Sequence, residues 1–348
     1  MTKKTIKLKS KVFTYLNKDN HPLSLKARLF YYRYLFYYNR EYFPKNNPNL
    51  NKLHLQQAQE HASNPYLPSK LVAQTFNIKP SDYVDKCFYA KADNHSDKVI
   101  FYIHGGSFFN HPSVKEFAFI RTLADATNSR VYLPIYPIGP LNHHQMMNDF
   151  IFKAYIQLQT YYSYDNIIII GNECGANLAL NLAYQLKQEG YPPCKEIVLQ
   201  SPLTNLVLDK RMEEYEDIDP FLSMNTLNKQ IQFYAYDYKL SDVRINPFYQ
   251  TLDLGCKISI LNVGKSILYI DGLALKEKSI KENIYIDYIE YPYLYQNFYY
   301  DNILEQEDYF KDIRNIIDRE RVSLYQLKAD KPTKLRKTIK ASLETKGE

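Results

Sequence analysis

The sequence predicts an α/β fold, a mostly parallel central sheet with helices on both faces. Three observations carry this. From residue 84 onward, short apolar runs alternate with helical stretches, the rhythm of successive βαβ units. Two of those runs hold unbroken apolar stretches, "VIFYI" and "IIII", and read as strands. Finally, 348 residues with 45% hydrophobic and 24% charged content form a globular chain long enough to bury a large core.

The elements follow in order. Residues 23–43, "LSLKARLFYYRYLFYYNREYF", place Leu, Phe and Tyr at helical spacing among Lys and Arg. That pattern fits an interfacial amphipathic helix. It fits better a lid or brace packed on the main domain, with tyrosine hydroxyls reaching water. The strands expected next are "DKCFYAK", "KVIFYIHGG", "SRVYLPIYP", "NIIIIGN", "KEIVLQSP", "KISILNVG" and "IYIDYIEYP". Helices are expected over 114–126, 144–161, 177–188 and 303–317, and right-handed crossovers distribute them over both faces of the sheet. Residues 204–246 break the rhythm with a helical, initially acidic insertion, "DKRMEEYEDIDPFLSMNTLNKQIQ" at its centre. The expected organisation is a helical N-terminal segment over 1–83, a core over 84–320 that carries this insertion, and a basic tail over 321–348.

Charge is concentrated at the ends. Residues 1–46 hold eleven Lys/Arg against Asp19 and Glu41, and residues 328–348 hold seven against Asp330, Glu344 and Glu348. The whole chain is only +6, so the middle is mildly acidic. Basic ends of this kind suit solvation, or contact with a protein partner or an acidic membrane surface. No nucleic-acid module is visible beyond general basicity. The four cysteines, Cys87, Cys174, Cys194 and Cys256, form no C-x-x-C pair, which suggests neither a zinc site nor a disulfide framework and fits a reducing cytoplasm. The start, "MTKKTIKLKSKVF", lacks the apolar core of a secretory signal, and no run approaches 18 apolar residues. A cytoplasmic protein is expected. Tyrosine is abundant at 34 residues, with no tryptophan, a bias that carries no functional reading.

Short motifs point to the chemistry. "HGGSF" (104–108) follows an apolar run. "YPIGP" (136–140), "GNECGANLAL" (171–180), "SPLTNL" (201–206), "DPFLS" (219–223), "NPFY" (246–249), "NVGKSILYIDGLAL" (262–275) and "EYPYLYQNF" (290–298) come after it. In this order, from about residue 98 to 317, they resemble the α/β-hydrolase superfamily, in its hormone-sensitive-lipase-like branch of esterases. The resemblance implies an α/β-hydrolase fold with an inserted helical cap over about 204–246. It also implies an H-G-G turn whose backbone N–H groups face an oxyanion, and a nucleophile elbow of the G-x-S-x-G type.

The departures from that pattern govern the function. Between Gly171 and Gly175 the nucleophile position is Glu173. The position of the triad acid falls on or beside Ser266, with no carboxylate until Asp271, and the position of the triad histidine is Gln296. This last substitution stands whatever the register: all eight histidines lie at or before His144, ahead of the elbow, whereas the triad order in this fold is Ser, acid, His. A serine hydrolase needs a nucleophile, an imidazole base and a carboxylate that orients it.

Three readings of Glu173 follow. It could be a carboxylate nucleophile, although related enzymes use aspartate and still need the histidine. The nucleophile could slide to Cys174, although the "NLAL" helix fixes the register against this. The preferred expectation is that Glu173 fills an oxyanion-hole-like turn formed by Gly105, Gly106, Ser107 and Cys174. It would accept the N–H groups of Gly106, Ser107 and Cys174, favour the helix N-terminus, and titrate at lowered pKa. His104, Gly171 and Gly175 are expected to shape the motif. Ser107 and Ser201 are read as turn formers, and His143 and His144 as solvent-exposed. No cofactor or metal is implied. The expected function is that of a degenerate hydrolase homologue, or pseudoenzyme, binding a small apolar or acyl ligand or serving as an interaction scaffold. The alternative is an esterase of small acyl esters with a non-standard nucleophile.

Overall fold

A computed structural model of the chain describes residues 22–38, 56, 68–93 and 97–319. The tail over 321–348 and most of residues 1–67 lie outside them, so the predicted domain boundaries are not fixed by the structure. Eight strands form one sheet in the order β1-β2-β4-β3-β5-β6-β7-β8. They are β1 (Lys79–Pro80), β2 (Cys87–Lys91), β3 (Val99–Ile103), β4 (Arg130–Pro134), β5 (Ile167–Asn172), β6 (Glu196–Gln200), β7 (Lys257–Lys265) and β8 (Asp287–Tyr295). Strands β3 to β8 run parallel, while β1 and β2 are antiparallel to their neighbours. All seven predicted strands are present. The two-residue β1, pairing Lys79 with Tyr89, was too short to leave a sequence pattern.

The described α-helices are α1 (Leu25–Tyr38), α2 (Lys70–Thr75), α3 (Val114–Thr127), α4 (His144–Gln159), α5 (Cys174–Gln188), α6 (Met224–Ala235), α7 (Tyr269–Lys281) and α8 (Glu305–Ile317). Helix α3 starts where Ser113 accepts the Glu116 N–H and stops at Asn128 in the left-handed conformation. The insertion is less helical than its sequence suggests. Residues 210–215 form a 3-10 turn, and only α6 is an α-helix there. Asp217, Asp219 and Pro220 crowd the stretch between them, and Asp219 spends its carboxylate on the Phe221 and Leu222 N–H groups, which favours a turn.

Two apolar layers sandwich the sheet. Phe101, Ile103, Ile167 and Ile169 point to one, with α4 and α5; Ile100, Tyr102, Ile168 and Ile170 point to the other, with α3 and α8. Alternation along β3 and β5 thus feeds both faces, the physical reason these strands read as unbroken apolar runs.

Helix α1, through Ala27, Tyr31 and Leu35, and Leu23 just before it brace the second layer. Two tyrosines of α1, Tyr31 and Tyr34, do not reach for water as expected. Tyr31 donates to the Ile218 carbonyl at 3.0 Å and Tyr34 to Asp301 at 2.7 Å. Burial of the helix leaves those hydroxyls beside protein acceptors, and a buried hydroxyl must be paired.

Candidate functional site

The site lies at the carboxyl ends of β3, β5, β7 and β8. At the end of β5 the chain turns sharply into α5, and Glu173 occupies the turn with φ 52° and ψ −115°. A non-glycine residue in this region is strained, and such strain must be imposed by its surroundings. The glycines on either side impose it. A Cβ on Gly175 would lie 2.2 Å from the Ile103 carbonyl oxygen, and one on Gly171 would lie 2.5 Å from that of Gly175. Helix α5 can therefore press against β3 and β5 only through bare backbone, and Glu173 is thrown outward at the turn. Its own N–H is held by the Gln200 carbonyl and its carbonyl accepts from Leu203 N–H.

The Glu173 carboxylate meets the H-G-G-S turn. Gly106 N–H donates to Oε2 at 2.8 Å, and the Ser107 hydroxyl donates to Oε1. Gly105 leaves room for this, since a Cβ there would lie 2.8 Å from Oε2. Gly106 and Ser107, both at positive φ, curl the turn around the carboxylate. Gly106 thus binds the carboxylate through its N–H and Ser107 through its hydroxyl, while Gly105 contributes only space. Cys174 does not bind it: Glu173 makes no side-chain bond to the first turn of α5. The Cys174 thiol instead accepts the Phe108 N–H at 3.2 Å in a fully buried position, and burial pushes its pKa well up, away from thiolate chemistry.

Titration of Glu173 also departs from expectation. Its pKa is raised, not lowered. Glu173 is only 4% exposed, and loss of hydration outweighs the Ser107 and Gly106 hydrogen bonds that favour its charge. Asp219 adds to the rise.

Asp219 was missed as a site residue, although "DPFLS" marked it. It comes from the insertion and reaches the position read as lacking an acid. Ser266 Oγ donates to its Oδ2 at 3.0 Å, and Ile267 N–H donates to the same oxygen at 2.9 Å. A buried carboxylate therefore does stand beside Ser266, supplied across the fold and not by β7. Asp271 serves elsewhere, accepting from the Thr204 hydroxyl and the Asn205 N–H and fixing the loop after β6, with burial raising its pKa to about 6.

Gln296 follows β8 and is 1% exposed, with its Oε1 lacking a hydrogen-bond partner. Tyr295 before it joins an aromatic cluster with Tyr31, Tyr34 and Phe221. This cluster ties α1, the insertion and the end of β8 together. On the other side Phe108 stacks on Tyr234 of α6 at 3.9 Å.

His104 opens the glycine turn. It is fully buried, stacked on Tyr136 at 4.1 Å, and its Nδ1 lies 2.8 Å from the Gly105 carbonyl. Because a carbonyl only accepts, Nδ1 carries the proton. Burial lowers the pKa to about 3. His144, expected in solvent, is instead buried edge-on against Tyr238, and burial brings its pKa to about 4. The insertion covers it, a long-range contact the local sequence does not encode. Ser201 does form a turn, at φ 41°.

Behind the elbow runs a polar network that no motif announced. Asn172 donates to Tyr300 OH at 2.9 Å and accepts from Tyr299 OH at 2.7 Å. Tyr300 donates to Glu116 Oε1 at 2.8 Å, and Tyr102 reaches the same oxygen at 3.2 Å. Burial holds Glu116 near neutrality, with a pKa of about 7.

With this geometry in view, comparison with known proteins is decisive for the family. Residues 100–300 match a family model described as the alpha/beta hydrolase fold. The chain belongs to that family. An esterase of Acinetobacter venetianus is 32% identical over 212 residues, covering 60% of this α/β-hydrolase and 70% of the relative. In fold, it is similar to a candidate esterase from Staphylococcus aureus (TM-score 0.74, 23% identity, 82% of this chain and 99% of that one). It is also similar to the hormone-sensitive-lipase homologue EstE7 from a metagenome library (TM-score 0.63, 21% identity, 76% and 95% coverage). No described helix is long and apolar enough to cross a membrane.

Proposed function

We propose that this α/β-hydrolase homologue is catalytically silent and acts through binding, as an interaction scaffold built on the esterase fold. The observation that carries this is the Glu173 carboxylate seated on the Gly106 N–H, where a substrate oxyanion would need that donor free. Gln296 supplies no base, and no histidine follows His144 in the sequence. Without an imidazole neither attack nor leaving-group protonation has a proton carrier. The aromatic cluster of Tyr31, Tyr34, Phe221 and Tyr295 over the end of β8 favours a scaffold over an open sensor pocket.

A small-ligand reading is favoured by one observation. Buried Gln296 Oε1 and Ser201 Oγ lack partners, and both lie just beyond the carboxyl ends of strands, where ligands bind in open α/β sheets. The alternative of an esterase with a non-standard nucleophile rests on the contact between Ser107 Oγ and Glu173.

Hydrolysis of short-chain p-nitrophenyl esters distinguishes these readings. Wild type, Glu173→Ala, Cys174→Ala and Ser107→Ala are all expected at the uncatalysed background. Turnover that vanishes in one variant would sink the proposal and name the nucleophile. A rise in Tm with a short-chain fatty acid, absent in Gln296→Leu, would favour the ligand reading over the scaffold.

A further inference from the structure

The four cysteines make no pair in the sequence, yet the sheet brings two of them together. Cys194 lies just ahead of β6 and Cys256 just ahead of β7, at the amino ends of neighbouring parallel strands. The β6–β7 register pairs Glu196 with Lys257. Further out the two segments still run side by side, since a Cβ on Gly255 would lie 3.2 Å from Cγ of Pro193. Cys194 and Cys256 are the next residues of those segments. Neighbouring strands lie about 4.8 Å apart and rise about 3.3 Å per residue, so such diagonal neighbours have Cα atoms about 6 Å apart. That falls within the ~4.4–6.8 Å that a disulfide spans.

Side-chain placement agrees. Both cysteines pack in the apolar layer that holds Ile197 and Ile258, Cys194 buried and Cys256 half-buried. The Cys194 thiol donates to the Glu196 carbonyl at 3.5 Å. Burial pushes its pKa well up, and the Cys256 thiol is near enough to add to the rise as a hydrogen-bond partner and as a charge. Cys87 and Cys174 are buried elsewhere, on β2 and at the start of α5.

We propose that Cys194 and Cys256 form a dithiol site that low-molecular-weight disulfides convert to a disulfide, bridging the amino ends of β6 and β7. Cys256, the one cysteine not fully buried, reacts first. As thiolate it attacks one sulfur of oxidised glutathione, the S–S bond breaks, and one glutathione leaves. Cys194 then gives its proton to water and attacks the Cys256 sulfur, expelling the second glutathione. Two protein thiols are oxidised by two electrons, and one glutathione disulfide is reduced to two glutathione thiols. Because the Cys194 thiol is hard to ionise where it sits, the mixed disulfide should build up before it closes. The segment between the two cysteines contains β6 and the insertion that carries Asp219 to Ser266. Closing so long a loop restricts the unfolded chain, and Tm should rise. The inference is independent of whether the elbow is silent.

Thiol mapping of the native full chain tests it. The protein is incubated with oxidised glutathione, remaining thiols are blocked with N-ethylmaleimide, and intact mass and a non-reduced digest are read by mass spectrometry. Wild type is expected to lose two of its four thiols, to yield peptides joined through Cys194 and Cys256, and to melt higher than the reduced protein. Dithiothreitol should reverse all three. Cys194→Ala should stop at the glutathione adduct on Cys256, and Cys256→Ser should take up no glutathione. The wild-type digest decides the proposal even where a variant folds poorly. Four blocked thiols after prolonged incubation overturn it, as does a glutathione adduct that never closes. A bridge to Cys87, to Cys174 or between two chains overturns it too. A lower Tm in the oxidised protein would contradict the claim that the native backbone already suits the bridge.

Discussion

Glu173 Oε2 accepts the Gly106 N–H at 2.8 Å, so the elbow and the glycine turn of this hydrolase fold are bonded to each other. The contact has a definite pH signature. Burial raises the Glu173 pKa above its ordinary 4.5, so the native state holds that proton more tightly than the unfolded chain. The associated stability is complete below pH 4.5 and is lost as pH rises through the folded value. Glu173→Gln keeps an oxygen for Gly106 and an amide for Ser107 but cannot ionise. It should equal wild type at low pH and melt higher at pH 8–9, as thermal unfolding across pH would read. A Glu173→Gln variant less stable than wild type at pH 9 would contradict this account.

Glu116 and His104 should pull in opposite directions. Glu116 titrates near pH 7 against an unfolded value of 4.5, so its contribution is lost as pH rises across that window, by about 3 kcal/mol. His104 titrates near 3 against 6.5, and its folded value is depressed. Stability is therefore lost as pH falls from 6.5 toward 3, on the order of 4 kcal/mol. Between pH 4.5 and 6.5 the two slopes partly cancel in wild type. Glu116→Gln should expose the rising limb and His104→Asn the falling one, in urea denaturation at a series of pH values.

Gly175→Ala should be among the most damaging single-methyl additions. Its Cβ would sit 2.2 Å and 2.6 Å from the Ile103 and His104 carbonyl oxygens, both backbone atoms that cannot swing aside. A loss of more than about 3 kcal/mol is expected. Gly190, with nothing near its added Cβ, is the control for crowding, although its φ of 75° adds a smaller backbone cost. Comparable denaturation midpoints for the two alanine variants would contradict the close packing of α5 on β3.

Restoring a nucleophile and a base together tests the proposal that the site is catalytically silent. Glu173→Ser frees the Gly106 N–H, and Gln296→His supplies an imidazole beyond β8, where Asp219 already stands beside Ser266. The double variant is expected to hydrolyse p-nitrophenyl acetate about tenfold above background, with each single variant at background. Equal rates for the double and both singles would show that more than these side chains has been lost.

Local sequence was enough for some of this architecture. The alternation of strands and helices, the glycines at 171 and 175, and the absence of histidine after position 144 are properties of the chain itself. Periodicity and steric demand act between near neighbours, so they survive in one dimension. The same holds for Glu173 at the elbow, because its strand-turn-helix setting lies within "IIIIGNECGANLAL". Three decisions belonged to the tertiary structure. Asp219 arrives beside Ser266 from 47 residues away. The sign of the Glu173 shift depends on how completely the fold excludes water, because hydrogen-bond donors alone would have lowered its pKa. Tyr31 and Tyr34 of α1 find Ile218 and Asp301 only once the helix lies against β8. Desolvation and long-range pairing are properties of packing, and packing exists only after the chain has closed on itself.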